Sequence, residues 1–287
     1  MKIAVIPNLT KERSEEISKD IASWLLKFGA DFGFADKHAD IFGGVRGAVL
    51  MPETELIEWC DVVITVGGDG SVLNAAKKAL RFSKPILGIN AGRLAFLAGL
   101  ENNELYLLKD LIEGNFIIDK RMLLDAKLIR NGETVADDLC INDVVLARGQ
   151  MLKMTDIHVD CDGRRISTYR ADGVIIATPT GSTAYSLSAG GPVINPSIDA
   201  VLLTPICTQS LFARSIVFSS DNEIVLYPEE TSYNTNLYLS FDGGDSIDVI
   251  KGDKIVIQKS DSYAQFIRIK QEEFFDVLNN KLADRRV

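Results

Sequence analysis

The chain has 287 residues, enough for about two domains that each bury a core of their own. Hydrophobic residues make up 46% and charged residues 25%, with 22 Gly and 8 Pro, a composition that excludes disorder on compositional grounds. Lys and Arg total 31 against 40 Asp and Glu, a net charge of −9, so neither duplex nucleic acid nor an anionic membrane is expected as a partner, whereas a small anionic ligand needs only a local field.

Residues 2–6 read as a short apolar strand, too short for a secretory leader before Lys11, Glu12 and Arg13 arrive. Ile17, Ile21, Trp24, Leu25 and Phe28 then recur at helical spacing, and Gly29 supplies a stop. A second strand is expected at Asp31–Ala35, and the Gly-containing segment after it gives no reading. Residues 61–66 form a β-branched run suited to a strand buried on both faces of a parallel sheet. Past the glycines at 67–70, Val72, Ala76, Ala79 and Leu80 share one helical face, with Lys77 and Lys78 outward as solvated charge. A strand at residues 85–89 and a helix at 105–112 complete an α/β, doubly wound, Rossmann-like domain over residues 1–115.

From Phe116 the period changes to two. Leu124, Ala126 and Leu128 alternate with Asp125 and Lys127, and Asn131-Gly132 is a hairpin signal. Ile157, Val159 and Cys161 alternate with His158, Asp160 and Asp162 before a second turn, Asp162-Gly163, and Leu237, Leu239 and Phe241 repeat the pattern. Residues 116–287 are therefore expected to be a β-rich, mostly antiparallel domain. Its final helix, near 271–283, carries Phe274, Phe275, Leu278 and Leu282 on one face and could pack back on the first domain. The longest uncharged stretch, residues 173–198, is interrupted by Pro179, Pro192, Pro196 and many hydroxyls, so it is no membrane span. Cys60, Cys140, Cys161 and Cys207 are widely spaced and give neither a zinc module nor a disulfide framework, and a cytoplasmic location is expected.

Three constellations could carry chemistry. Gly67-Gly68-Asp69-Gly70-Ser71 lies between a buried strand and a helix, where glycines let a ligand approach the backbone and the helix N-terminus favours phosphate. It is neither a Walker A loop nor a Gly-x-Gly-x-x-Gly fingerprint. An aspartate beside bound phosphates is repelled by them, so it needs a reason: holding Mg²⁺, or taking a proton from an attacking hydroxyl. The plain alternative is an Asx turn ahead of Ser71. In the second, seven of the eleven residues from 178 to 188 carry a hydroxyl and none is charged, a surface for sugar hydroxyls and phosphate oxygens in which Tyr185 can pack on a flat ring. Helix capping explains one or two of these residues. The third, Asn142-Asp143, can grip two vicinal hydroxyls but is also an ordinary turn pair.

Gly67-Gly68-Asp69-Gly70, then Asn142-Asp143, then Asp172-Gly173 followed by Thr178-Pro179-Thr180-Gly181-Ser182-Thr183-Ala184-Tyr185-Ser186-Leu187-Ser188-Ala189-Gly190-Gly191-Pro192 occur in the order seen in NAD kinases, which the chain resembles over nearly its whole length. The first motif alone is shared with diacylglycerol, sphingosine and phosphofructokinases. The resemblance implies phosphorylation of NAD at the 2′-hydroxyl of its adenosine ribose to give NADP. The donor would be ATP, another nucleoside triphosphate or polyphosphate, with a divalent ion, Mg or Mn. It also implies a homo-oligomer, dimer or tetramer, with sites between the domains and near subunit contacts. Carried over by position, Asp69 is the general base, with Gly67, Gly68 and Gly70 as close-approach neighbours. Asn142 and Asp143 become ribose and dinucleotide ligands. Asp172, Thr183, Ala184, Tyr185, Ser186, Leu187 and Ser188 become adenine and nicotinamide contacts, and Lys153 and Arg170 basic ligands. Three positions depart from the family pattern: Ala95 stands for a Gly, Gln209 for a His, and Gly244 for a Gln. A lipid or sugar kinase sharing the glycine turn is the rival enzyme, disfavoured by the uncharged second motif. A dinucleotide sensor without turnover is disfavoured by Asp69, which phosphate binding alone would not select.

Overall fold

The computed structural model describes residues 1–92, 95–149, 154–210, 213–228, 237–270 and 274–284. The chain divides into two units, Met1–Lys120 with Ala264–Val287, and Arg121–Tyr263.

The first unit opens with β1 (Lys2–Pro7), α1 (Ser14–Lys27) and β2 (Asp31–Ala35). The segment without a sequence reading forms α2 (Ala39–Phe42), β3 (Ala48–Met51) and α3 (Glu53–Trp59). Then come β4 (Val62–Gly67), α4 (Asp69–Leu80), β5 (Ile86–Asn90), β6 (Leu100–Glu101) and α5 (Leu108–Glu113). The strands pair in parallel in the order β3-β2-β1-β4-β5, with Ile3 opposite both Phe32 and Val62. All residues of β4 and β5 are buried, which is why 62–66 is an unbroken apolar and β-branched run. On α1, Ile17, Ile21, Ala22 and Leu25 bury against Ile3, Val5, Phe32 and Ile64, and each large side chain contributes roughly 1.5–3 kcal/mol by leaving water. Gly29, at φ +72, takes the left-handed conformation that ends the helix. The strand order reverses between β1 and β4. In an open parallel sheet, the crevice beyond the C-terminal ends of the strands at that reversal is where ligands are held.

The second unit begins within β7 (Ile117–Arg130) and continues through β8 (Glu133–Cys140), β9 (Asp143–Arg148), β10 (Thr155–Cys161), β11 (Arg164–Ala171) and β12 (Gly173–Ala177). After the short α6 (Tyr185–Ser188) come β13 (Ala200–Ile206), β14 (Ile216–Ser219), β15 (Ile224–Pro228), β16 (Leu237–Phe241) and β17 (Ile247–Val249). The last strand, β18 (Lys254–Arg268), is followed by α7 (Phe274–Asp284). One layer runs β11-β10-β15-β18, with β7 pairing β18 and β8 pairing β7. The other is a six-stranded antiparallel sheet in the order β14-β13-β12-β9-β16-β17. Their facing side chains, among them Leu124, Ile157, Leu226 and Ile255 from one layer and Val144, Leu146, Val174 and Leu239 from the other, form one core. The opposite face of β12 and β13, with Ile175, Ala177 and Leu202, is covered by Ile194. Both Asn131-Gly132 and Asp162-Gly163 adopt positive φ at the two central positions (53 and 85; 49 and 74), the mirror-image turn that the twist of a hairpin requires. No helix of the described residues is long and apolar enough to cross a membrane.

Candidate active site

In the first unit the glycine turn joins β4 to α4. Gly67 is buried, and a Cβ on it would come within 2.3 Å of Ser71 Oγ, so this glycine is demanded by the chain's own packing. A Cβ on Gly68 or Gly70 would meet nothing within 4 Å. Both therefore border open space, the room that a phosphate lying against the turn would need. Asp69 begins α4, and its two carboxylate oxygens accept the backbone N–H groups of Phe96 (2.9 Å) and Leu97 (2.8 Å). An ionised carboxylate offers about four lone-pair directions to such donors. The loop carrying Ala95 is thus hung on Asp69. Ala95 is buried and is not among the residues of positive φ, so the methyl group that replaces a glycine hydrogen is accommodated there.

A cavity of 260 Å³ lies at the C-terminal ends of β1, β2 and β4, at the strand-order reversal. Asn8, Gly70, Ser71, Asn74, Glu53 and Lys78 are among its walls. Asn8 donates to Ser71 Oγ (2.8 Å), tying the end of β1 to the first turn of α4. Lys78 was expected to be solvated charge. Instead its ammonium, like that of Lys37, donates to the Glu53 carboxylate. Burial pushes the Glu53 carboxyl up, but the two lysines outweigh it and hold it below the usual carboxylate range. Sequence reasoning missed this cluster because α3 and Lys37 fall in the segment it could not read.

In the second unit, the start of β9 and the ends of β12 and β16 are neighbours, with Asp143 opposite Ala177 and Phe241 opposite Val144. Thr178 donates its N–H to Asn142 O (2.9 Å) and its Oγ1 hydrogen to Ile141 O (2.6 Å). Gly181 packs so tightly on Asn142 that a Cβ would sit 2.0 Å from that carbonyl oxygen. The Asn142-Asp143 pair and the hydroxyl-rich loop therefore form one surface. Asp143 is 4% exposed, and its pKa is pushed up to about 7 by burial and the nearby Asp242 carboxylate, against the opposing effect of the Tyr185 N–H that it accepts.

The hydroxyls of the loop divide. Thr178, Ser182, Thr183 and Ser186 bond to the protein itself: Ser182 to Pro179 O (2.6 Å), Thr183 to Thr180 O (3.2 Å), Ser186 to Thr204 Oγ1 (2.9 Å). Ser186, expected at a ligand, is fully buried. Ala184 and Leu187 are half-buried, while Tyr185 and Ser188 face solvent, Tyr185 with 46% of its surface. Asp172 is elsewhere. It precedes β12, where Arg148 Nε donates to its carboxylate (2.7 Å) and the Arg148 N–H donates to its carbonyl oxygen (2.9 Å). Six residues of extended chain separate Asp172 from Thr178, about 20 Å. Arg170 lies near Asp172, exposed and 3.9 Å from Asp156, and Gln209 donates its N–H to Arg170 O (2.9 Å). The predicted second-unit contacts thus form two groups at opposite ends of one strand. Lys153 lies outside the described residues.

Residues 49–116 match the model of the ATP-NAD kinase N-terminal domain, and residues 141–269 that of the ATP-NAD kinase C-terminal domain. The chain belongs to the ATP-NAD kinase family. The NAD kinase of Caldanaerobacter subterraneus subsp. tengcongensis is 38% identical to it over 285 residues, 99% of each chain. That of Acetivibrio thermocellus is 35% identical over 286 residues, 99% of this chain and 98% of the other. Among solved structures, an NAD kinase from Archaeoglobus fulgidus in complex with ATP superposes with a TM-score of 0.77 at 27% identity, covering 99% of each chain. A yeast NADH kinase complexed with NADH superposes with a TM-score of 0.89 over 100% of this chain and 89% of the other; at 24% identity it bears on the fold alone. The two matched spans of this chain include the glycine turn and the Asn142, Asp172 and Thr178 segments, the motifs that carry the resemblance.

Proposed function

We propose that this family member transfers the γ-phosphoryl group of ATP to the 2′-hydroxyl of the adenosine ribose of NAD, forming NADP. The observation that carries the mechanism is an acid at the tip of a glycine turn whose flanking glycines, 68 and 70, face open space. The donor phosphates lie against that turn and the N-terminus of α4, and the nucleoside end occupies the 260 Å³ cavity beside it. The ATP complex of the Archaeoglobus fulgidus neighbour supports ATP as donor. Asn142 and Asp143 hydrogen-bond ribose hydroxyls, and the exposed Tyr185 ring packs on a base. As the 2′-oxygen bonds to the γ-phosphorus, the bond to the β,γ-bridging oxygen breaks, ADP leaves, and Asp69 takes the hydroxyl proton.

The donor is taken as its magnesium or manganese complex. Among the described residues no group of three or more His, Cys, Asp or Glu could hold a metal. An ion carried on substrate phosphates needs no such group, since Mg²⁺ commonly uses one or two carboxylates and keeps several waters. The same reading makes the protein a cytoplasmic homo-oligomer. The test is NADP formation from NAD, ATP and Mg²⁺ by the purified chain and by its Asp69→Asn variant. The wild type should turn over, and the variant should lose about 10²–10⁴ in rate while still binding NAD. Near-normal turnover by the variant removes Asp69 as the base, and no NADP from the wild type with Mg²⁺ or Mn²⁺ removes the function.

A further inference from the structure

All six main-chain polar groups of residues 141–143 are bonded by just two residues. Asp242 accepts the N–H of Ile141 through Oδ2 (2.8 Å) and those of Asn142 and Asp143 through Oδ1 (2.7 and 3.0 Å). Its own N–H donates to Asp143 O (2.9 Å). Thr178 takes the two remaining carbonyls, Ile141 O and Asn142 O. Among the described residues the Asn142 side chain has no hydrogen-bond partner, so the turn is fixed through its backbone while that amide is left to a ligand.

Asp242 reaches this position because it is held in an uncommon conformation. It and Gly243 have φ of +51 and +69, and Gly244 N–H closes the turn on Phe241 O (2.9 Å). The left-handed region is costly for most residues but tolerated by Asp, Asn and Gly. Backbone strain of this kind persists only where the surroundings over-determine it. The four bonds between Asp242 and residues 141–143 do so.

We propose that Asp242 is a positioning residue for the acceptor: its carboxylate locks the 141–143 backbone in the conformation that presents the Asn142 amide and the Asp143 carboxylate to a vicinal diol, and it places a negative charge beside Asp143. This rests on the reading of Asn142 and Asp143 as ribose ligands. Truncating the carboxylate frees three N–H groups, and the turn then samples other conformations, at a cost to acceptor binding rather than to chemistry.

The experiment compares wild type, Asp242→Asn, Asp242→Gly and Asp143→Asn for KM(NAD), KM(ATP), kcat and thermal midpoint. Both Asp242 replacements accept positive φ, and Gly removes the carboxylate with no backbone penalty. KM(NAD) should rise about tenfold or more in Asp242→Gly and less in Asp242→Asn, which keeps one acceptor oxygen, with kcat and KM(ATP) within about threefold. A second readout is the acidic limb of kcat/KM for NAD. It should move to lower pH in Asp242→Asn, because Asp143 then faces the Tyr185 N–H without a second carboxylate, and a purely structural residue would not move it. Unchanged KM(NAD) and an unmoved limb in the Asp242 variants, with KM(NAD) raised in Asp143→Asn, overturn the positioning role alone. Unchanged KM(NAD) in Asp143→Asn overturns the acceptor-site reading beneath it.

Discussion

Asp143 combines 4% exposure with a carboxylate neighbour, and both disfavour its ionised form. With a folded-state pKa of about 7 against roughly 3.9 in an unfolded chain, the folded protein binds the extra proton between those values. Stability from this site is therefore present at low pH and lost as pH rises toward 7, by on the order of a few kcal/mol. Denaturation midpoints of wild type and Asp143→Asn, followed from pH 5 to pH 8, should diverge in favour of the variant as pH rises. A constant difference contradicts the burial of this charge. At the same scale, Asn142-Asp143 was legible as a pair able to grip a diol, but Asp242 was not. Its sequence signal, an Asp-Gly turn after an alternating strand, is the same as at Asp162-Gly163, and only the pairing of β16 with β9 brings it to residues about a hundred positions away.

At the scale of elements, the strand–turn–helix around Asp69 and the buried β4 follow directly from the apolar run and the glycines. Within that turn the glycines do different work. Gly67→Ala drives a methyl group into Ser71 and should cost stability on the scale of an overpacked core site, about 1–3 kcal/mol. Gly70→Ala meets open space, so the thermal midpoint should hardly change, while KM(ATP) rises because the methyl group occupies the donor's approach. A Gly70→Ala enzyme with unchanged KM(ATP) would take the donor away from this turn. The hydroxyl-rich loop was less legible. Ser186 and Ser182 look like any other donors in sequence, yet their partners, Thr204 and Ile194, come from distant positions that no local pattern reveals. Five of the seven hydroxyls are bonded within the protein, Thr180 accepting from Arg121 (3.3 Å), which leaves Tyr185 and Ser188 as the residues the loop turns outward.

At the scale of the whole molecule, the period switches from helical to twofold near Phe116, and the chain first passes between the two compact units at Lys120/Arg121. The second passage, at Tyr263/Ala264, left no such trace. It falls inside β18, a 15-residue strand that pairs with β15 in one unit and with β5 in the other, so neither composition nor period changes as the chain crosses. Family membership covers both units, and with it the claim that the acceptor atom is the 2′-oxygen of the NAD adenosine ribose. The most direct measurement offers the enzyme NAD and 2′-deoxy-NAD side by side, with ATP and Mg²⁺, and reads both binding and phosphoryl transfer. The account predicts that NAD is converted to NADP while 2′-deoxy-NAD binds and inhibits but accepts no phosphoryl group. Phosphoryl transfer to 2′-deoxy-NAD would contradict it.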